Sequence, residues 1–130
     1  MTFKVIIAGG RDFNDQPLLE EKCDALLSER QGVIEIVDGG ANGADHLGGL
    51  YAQARGHDRT LFPANWDKYK KQAGIIRNAQ MADYADALIA FWDGKSKGTE
   101  HMIRIAKAQG LAVRVIRYEH NRLAAKTEGS

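Results

Sequence analysis

The chain has 130 residues, of which 44% are hydrophobic and 27% are charged. These values are typical of one globular domain with its own core, so neither wholesale disorder nor a second domain is expected. The formal net charge of +1 gives no global attraction to nucleic acid or to an anionic membrane, and any such partner would have to bind a local patch.

Short apolar runs alternate along the chain with amphipathic stretches, which predicts strands alternating with helices. The apolar runs predict five strands, at 5–8, 33–37, about 59–62, 87–92 and 112–116. The amphipathic stretches predict four helices, from 14 or 15 to about 30, from 42 to about 55, from beyond 71 to about 84, and from 99 to 109. The pattern is lost from His120, so we expect one domain at 1–118 and a flexible tail at 119–130.

The first predicted helix illustrates how its faces are assigned. Its amphipathic pattern places four apolar residues inward, namely Leu19, Cys23, Leu26 and Leu27. A single cysteine excludes an internal disulfide and suits a reducing cytosol. Because the sequence has neither a leader-like N-terminus nor a run long enough to span a bilayer, we expect a soluble cytoplasmic protein with no membrane partner.

The alternation of elements predicts a three-layer α/β domain, with a five-stranded, mainly parallel sheet and helices on both faces. Ligands of such sheets bind outside the carboxyl ends of the strands, where the strand order reverses. Polar residues should therefore gather just after the strands. They do so at 9–12, 38–45, 65–67 and 93–100.

The loop at 38–45 is rich in glycine and lies between the second strand and the second helix. Gly39, Gly40 and Gly43 permit positive φ and close approach of a ligand, and the following helix start can hold an anion such as phosphate. Three polar side chains could accept hydrogen bonds from ribose or cap the helix, namely Asp38, Asn42 and Asp45. The alternative is a glycine-rich turn that only allows tight packing.

Two common nucleotide motifs are excluded. Gly39-Gly40-x-x-Gly43 lacks the spacing of the dinucleotide fingerprint and follows the second strand rather than the first. No Gly-Lys-Ser/Thr sequence follows it, so it is not a P-loop. NAD-linked redox chemistry and ATP hydrolysis by those routes are therefore not expected, and no cofactor is predicted.

Two further features indicate anion binding. Gly98-Thr99-Glu100 predicts a second phosphate-binding helix start, with Thr99 as N-cap, although a plain structural cap fits it equally well. Arg77-Asn78 lies on the third helix, where an arginine among apolar residues would serve a carboxylate or a phosphate. The alternative for Arg77 is a surface arginine.

Other candidate groups are aromatic, basic or metal-binding. Trp66 and Trp92 follow strands, where each could stack on a base or pack at the rim of the core. The lysines at 68, 70 and 71 form a solvated helix start or a nucleic-acid patch. The four histidines and Cys23 show no metal-ligand spacing, so no metal site is predicted.

Several of these segments together resemble the SLOG superfamily of Rossmann-like domains, and within it the YspA-like, cpYpsA-related branch. The resemblance covers about residues 3–117. It is carried by 5–13, the loop at 38–45, Arg77-Asn78-Ala79-Gln80-Met81, and 85–90 followed by Gly98-Thr99.

Two relatives within that superfamily imply different activities. Lonely-guy phosphoribohydrolases carry an Arg-Lys-x-x-Met helix and a Pro-Gly-Gly-x-Gly-Thr-x-x-Glu loop, which Arg77, Met81 and Gly98-Thr99 match in part. Met102 stands where their catalytic glutamate would be. Because N-glycosidic cleavage needs a carboxylate beside the ribose, Glu100 or Asp93 would have to serve from a shifted position.

The DNA-processing protein DprA is the other relative. Its Gly-Gly-Ala-Arg-Gly-Ile-Asp loop is similar to 39–45, but Asn42 replaces the arginine. Its Arg-Asn-Arg segment is half matched by Arg77-Asn78. Loss of a loop arginine removes a phosphate contact, so single-stranded nucleic-acid binding is the weaker implication.

The leading hypothesis is therefore a site for a nucleotide or a nucleotide-derived ribose-phosphate ligand. The alternatives are a nucleoside 5′-monophosphate phosphoribohydrolase, with Arg77, Glu100 and Asp93 as catalytic candidates, and a nucleic-acid binder. The relatives imply a homo-oligomer. The predicted ligand contacts are Gly9, Gly10, Arg11, Asp38, Gly39, Gly40, Asn42, Gly43, Asp45, Trp66, Asn78, Trp92, Ser96, Gly98 and Thr99.

Overall fold

The computed structural model describes residues 2–119. Five strands are present in this range: β1 Thr2–Gly9, β2 Val33–Asp38, β3 Asp58–Leu61, β4 Ala87–Trp92 and β5 Ala112–Arg117. The helices are α1 Gln16–Leu27, α2 Ala44–Arg55, α3 Trp66–Tyr69, α4 Ala73–Tyr84 and α5 Lys97–Ala108, with a 3-10 turn at Lys70–Gln72. Apart from Glu119, the predicted tail lies outside the described residues.

The strands form one parallel sheet in the order β3-β2-β1-β4-β5. The order reverses between β1 and β4, because the chain builds outward from β1 to one edge and then returns to add β4 on the other side. Ile6 of β1 lies between Val37 of β2 and Leu88 of β4. The α/β fold predicted from the sequence is confirmed.

The core has two parts, one on each face of the sheet. Successive side chains of a strand point to opposite faces. Val5 and Ile7 of β1 accordingly pack in a cluster that contains α1 and α2 residues, whereas Ile6 and Ala8 pack in a second cluster with α4 and α5 residues. The predicted three-layer arrangement follows from this alternation.

Two details of the first helices differ from the prediction. α1 ends at Leu27, and Leu26 is 37% exposed instead of facing inward. The buried residues of α1 are Leu18, Leu19, Cys23 and Leu27, and Leu26 lies in the last turn of the helix. α2 begins at Ala44 rather than at Asn42, because Gly43 has a φ of 77° and lies outside the helix.

The later helices also begin elsewhere than predicted. Trp66 is the first residue of the short helix α3, whose N-cap Asn65 accepts a hydrogen bond from the Lys68 N–H. Thr99 is not the N-cap of α5. The side chain of Ser96 takes that role by accepting from the Thr99 N–H, so α5 begins at Lys97 and Thr99 is buried in its first turn.

Candidate functional site

A cleft of about 870 Å³ opens at the carboxyl ends of β1 and β4, where the strand order reverses. One wall is the segment after β1, at 9–12. A second wall is formed by α3 and α4, and a third by the β4–α5 loop with the first turns of α5. This is the position that the parallel topology predicts for a ligand.

The structure brings many of the predicted site residues to this cleft and leaves others outside it. Those that line the cleft are Gly9, Gly10, Arg11, Asp45, Trp66, Arg77, Asn78, Asp93, Ser96, Gly98, Thr99 and Glu100. Those absent from the lining are Asp38, Gly39, Gly40, Asn42, Gly43 and Trp92. Most of the latter belong to the glycine-rich loop at 38–45.

Asp38 is occupied by partners within the protein. Its carboxylate is fully buried and accepts two hydrogen bonds from the Arg59 guanidinium, at 2.8 and 3.1 Å. It also accepts from the Gly40 N–H at 2.8 Å. A buried carboxylate needs such compensation, since an unpaired one would be costly to desolvate. Asp38 therefore holds the end of β2 to β3 and shapes the loop.

Gly39 is held from two sides. Its N–H donates to the Asp45 carboxylate at 3.0 Å, and its carbonyl accepts from the Arg77 guanidinium at 2.7 Å. Burial raises the pKa of Asp45 to about 6, while the nearby positive charge of Arg77 and the Gly39 N–H oppose that rise. Asp45 and Arg77 both line the cleft, so the inner face of the loop is lined by side chains of opposite charge.

Gly43 is packed beneath the segment that follows β1. Its φ of 77° suits glycine, and a Cβ at this position would lie 2.1 Å from the Gly10 carbonyl oxygen. The Gly10 carbonyl also accepts from the Ala44 N–H, the first of α2, at 3.2 Å. The sequence predicts that the start of α2 holds an anion, but one of its N–H groups already donates to a backbone carbonyl of the protein.

The β4–α5 loop is more open. One carboxylate oxygen of Asp93 accepts from the Lys95 and Ser96 N–H groups, both at 2.8 Å, which fixes a tight turn before α5. A Cβ on Gly98 would meet no atom within 4 Å. The first N–H groups of a helix have no partner inside it. The Thr99 N–H donates to the Ser96 side chain, so any N–H groups of this start that remain for a ligand are those of Lys97 and Gly98, which are exposed beside Glu100.

Asn78 connects the two loops. It is 8% exposed, its side-chain amide donates to the His101 Nδ1 at 3.1 Å and to the Gly98 carbonyl at 3.4 Å, and its oxygen accepts from Arg77 Nε at 3.3 Å. Because Nδ1 of His101 accepts, neutral His101 carries its proton on Nε2. Burial and the nearby charge of Arg104 lower the pKa of His101, which favours this neutral form.

The cleft lining has a small excess of positive charge. Five side chains are cations, namely Arg11, Lys71, Arg77, Lys97 and Arg104. Four are carboxylates, namely Asp12, Asp45, Asp93 and Glu100. Asp12 accepts from the Tyr118 hydroxyl at 3.0 Å, which ties the end of β5 to the segment after β1. The excess is one charge, equal to the net charge of +1 of the whole chain.

Several lining residues were not predicted as site residues. The most polar are Lys97, His101 and Arg104, and the apolar ones include Ile75 and Met81. Lys71, which the sequence offers for a nucleic-acid patch, also lines the cleft. The spacing of the polar α5 residues could have indicated that they share a site, because residues 97, 100 or 101, and 104 recur every three to four positions and so lie on one face of α5. Met102 also lines the cleft and is 1% exposed, so the position of the glutamate in the lonely-guy motif is apolar here.

Trp92 lies outside the cleft and has other partners. Its indole N–H donates to the Ser96 carbonyl at 3.1 Å, and the Arg117 guanidinium lies 5.2 Å from its ring centre. Trp66 is 50% exposed and lines the cleft. The sequence leaves the two tryptophans as equal candidates for a ligand contact, whereas in the structure Trp66 lines the cleft and Trp92 does not.

Among residues 2–119, no three histidine, cysteine or acidic side chains are grouped to hold a metal ion. None of the helices described there is both long and apolar enough to cross a membrane.

The sequence matches the model of the YspA, cpYpsA-related SLOG family over residues 3–69. The match includes β1, β2 and the glycine-rich loop at 38–45. The chain belongs to this family. It is also 34% identical over 117 residues to the Gene 61 protein of Mycobacterium phage D29, covering 85% of this chain and 93% of that protein. No solved structure matches the chain.

Membership of this SLOG family confirms the resemblance seen in the sequence. The family match ends at residue 69, ahead of α4 and α5. The roles of Arg77, Asn78 and the start of α5 therefore depend on the geometry of the cleft in this chain.

Proposed function

We propose that this SLOG-family protein binds a nucleotide or a nucleotide-derived ribose-phosphate ligand in the cleft between the carboxyl ends of β1 and β4. The observation that carries the proposal is the coincidence of three features at one place. The cleft lies at the reversal of strand order, the start of α5 opens into it, and its lining has more cations than carboxylates. Each of these features favours an anionic ligand.

The phosphate of this ligand would lie at the start of α5. The start of α2 is covered by the Gly10 carbonyl, whereas Gly98 has open space beside it. Lys97 and Arg104 are exposed on α5, and Arg77 is half-buried on the facing helix α4. Charge-assisted hydrogen bonds from these side chains would add to those of the helix N–H groups.

Hydrolysis of the ligand has less support than binding. The carboxylate of Asp93 is engaged by two backbone N–H groups, Glu100 is exposed, and Met102 occupies the position of the glutamate in the lonely-guy motif. Among the lysines predicted as a nucleic-acid patch, Lys71 lines the cleft and Lys68 and Lys70 do not. Both activities, and assembly into a homo-oligomer, stay predictions.

Thermal denaturation with added ligands tests the proposal. A ligand that binds only the folded protein raises the melting temperature by mass action. We expect adenosine, guanosine, cytidine or uridine 5′-monophosphate, or ribose 5-phosphate, to do so. Lys97→Ala and Arg104→Ala should reduce the shift, and Arg114→Ala, which changes an exposed arginine outside the cleft, should not.

The proposal fails if none of these compounds shifts the melting temperature, or if Arg114→Ala reduces the shift as much as the cleft variants do. Incubation with the four nucleoside monophosphates, followed by chromatography for free base, distinguishes binding from hydrolysis. We expect no release. Release that is abolished by Arg77→Ala or Glu100→Gln would identify a phosphoribohydrolase instead.

A further inference from the structure

Two large apolar side chains stay exposed on the α3–α4 wall of the cleft. Trp66 is 50% exposed and Ile75 is 54% exposed, and both belong to the cleft lining. Single exposed apolar residues are common on protein surfaces. Here, however, the two lie on the same wall of a cleft that otherwise has charged residues along its α5 side.

Gly74 lies between these two side chains and leaves space on the helix. A Cβ at Gly74 would be 3.9 Å from the indole Cη2 of Trp66, an ordinary contact, so the indole lies beside the α4 backbone. Gly74 itself lines the cleft. The wall thus combines an indole, a glycine and an isoleucine with the charged side chains of Lys71 and Arg77, which also line the cleft there.

Cations line the cleft from both sides, with Lys97 and Arg104 on α5 and Arg77 on α4. The two exposed apolar side chains, Trp66 and Ile75, are both on the other wall, in α3 and the first turn of α4. A ligand that contacts both walls would need an anionic group at one end and a flat apolar group at the other. A nucleotide has this division, because every base has a π-face that can stack on an aromatic side chain.

We propose that Trp66 and Ile75 hold the planar heteroaromatic base of the ligand, so that the cleft selects intact nucleotides over bare ribose phosphates. The inference rests on the proposed function and adds the class of group that occupies the apolar wall. Trp92 does not share this role, since its indole N–H donates to Ser96 and its ring lies near Arg117.

Calorimetric titration of the full chain with adenosine 5′-monophosphate, uridine 5′-monophosphate and ribose 5-phosphate tests the inference. Stacking on an aromatic side chain contributes on the order of a tenfold change in affinity for each base. We expect Trp66→Ala to weaken nucleotide binding about tenfold and to change ribose 5-phosphate binding little. Trp66→Phe should restore most of the loss, because it keeps an aromatic face.

The matched control is Leu50→Ala, which shortens an apolar side chain of similar exposure, 43%, on α2 outside the cleft. It should leave all three affinities unchanged. Fluorescence provides a second measurement. In a Trp92→Phe background Trp66 is the single tryptophan of the chain, and its emission should change on adding adenosine 5′-monophosphate but not ribose 5-phosphate.

The outcomes separate this inference from the proposed function. If ribose 5-phosphate binds as tightly as the nucleotides and Trp66→Ala affects neither, the base site is overturned and the ribose-phosphate site stands. If Trp66→Ala weakens all ligands equally, Trp66 only supports the cleft. If no compound binds, or only a single-stranded oligonucleotide does so, with strong salt dependence, both proposals are wrong.

Discussion

The two loops that the sequence marks as phosphate sites have opposite properties in the structure. The loop at 38–45 contains more glycine, yet its glycines are enclosed by Asp45, Arg77, Leu61 and the Gly10 carbonyl. Gly94 in the β4–α5 loop is also closely packed, against Arg117, whereas Gly98 in the first turn of α5 has open space around it. Glycine thus serves close packing of protein on protein in the loops and access at the start of α5.

Gly43→Ala should destabilise the protein more than any other substitution considered below. The new Cβ would lie 2.1 Å from the Gly10 carbonyl oxygen, at a φ of 77° that side chains rarely adopt. We expect a loss on the order of 4 kcal/mol in the free energy of unfolding, from strain and overpacking together. Urea denaturation measures it.

Gly98→Ala is the control for Gly43→Ala. It adds the same methyl group within a helix where nothing lies within 4 Å. Its unfolding free energy should stay the same or rise by up to about 1 kcal/mol, because alanine favours helix. Equal losses in the two variants would mean that the loops do not differ in packing.

Arg59→Met tests the enclosure of Asp38. Removing the guanidinium leaves a carboxylate with no exposure and only the Gly40 N–H among its described hydrogen bonds. Arg59 is 43% exposed, so the cost arises from the Asp38 carboxylate, which stays buried with one hydrogen bond. We expect a loss of about 3 kcal/mol in unfolding free energy. Arg55→Met is the matched control. Its partners Glu20 and Asp24 are partly exposed, so the loss should stay below about 1 kcal/mol.

Asp45 should give the glycine-rich loop a measurable pH dependence. Its pKa in the folded protein is about 6, above the ordinary value, so the folded state binds more protons than the unfolded state between about pH 4 and pH 6. Stability from this group is therefore present below that window and is lost as pH rises through it, by about 3 kcal/mol.

Unfolding free energies measured from pH 4 to pH 8 check this prediction. Asp45→Asn should make the unfolding free energy less dependent on pH, since the titrating group is gone. Arg77→Met should move the slope to higher pH, because the Arg77 charge holds the pKa of Asp45 down. A slope that is unchanged in Asp45→Asn would assign the pH dependence to another group.

Ser96→Ala should have the smallest effect on stability, and it tests whether the Ser96 side chain caps α5. The Ser96 side chain caps α5, whereas the N-cap of α2 is a glycine without a side-chain bond. Loss of such a cap costs about 1 kcal/mol. Ser28→Ala, an exposed serine outside any N-cap, is the control in the same thermal melts. A cost equal to that of Ser28→Ala would show that Ser96 is not an effective cap.

The sheet could be predicted from the sequence because its information is local. β4 is an unbroken apolar run from Ala87 to Trp92, and its predicted and observed bounds agree. The predicted end of the second helix, at about 55, also agrees with the structure, where Gly56 in the αL conformation follows Arg55. A few neighbouring residues determine a buried parallel strand or a helix cap, so these elements can be predicted without knowing which distant residues they contact.

The character of the two loops could not be predicted in the same way. The sequence predicts Asp38 as a ligand contact, because it does not show that Arg59 on the neighbouring strand pairs with it. Gly39 similarly meets Arg77, which is 38 positions away in the chain. The sequence shows that a loop can admit close contact, but the group that makes the contact is decided by tertiary packing.

The order of the strands also sets the order in which the cleft can be built during synthesis. β1 is the middle strand, yet its partner β4 follows about 80 residues later in the chain, and the Tyr118 hydroxyl reaches Asp12 across 106 positions. A nascent chain therefore exposes one apolar edge of β1 until β4 has left the ribosome. Pairing across such a separation is slow, and the cleft is complete only after nearly all of the described chain has been made.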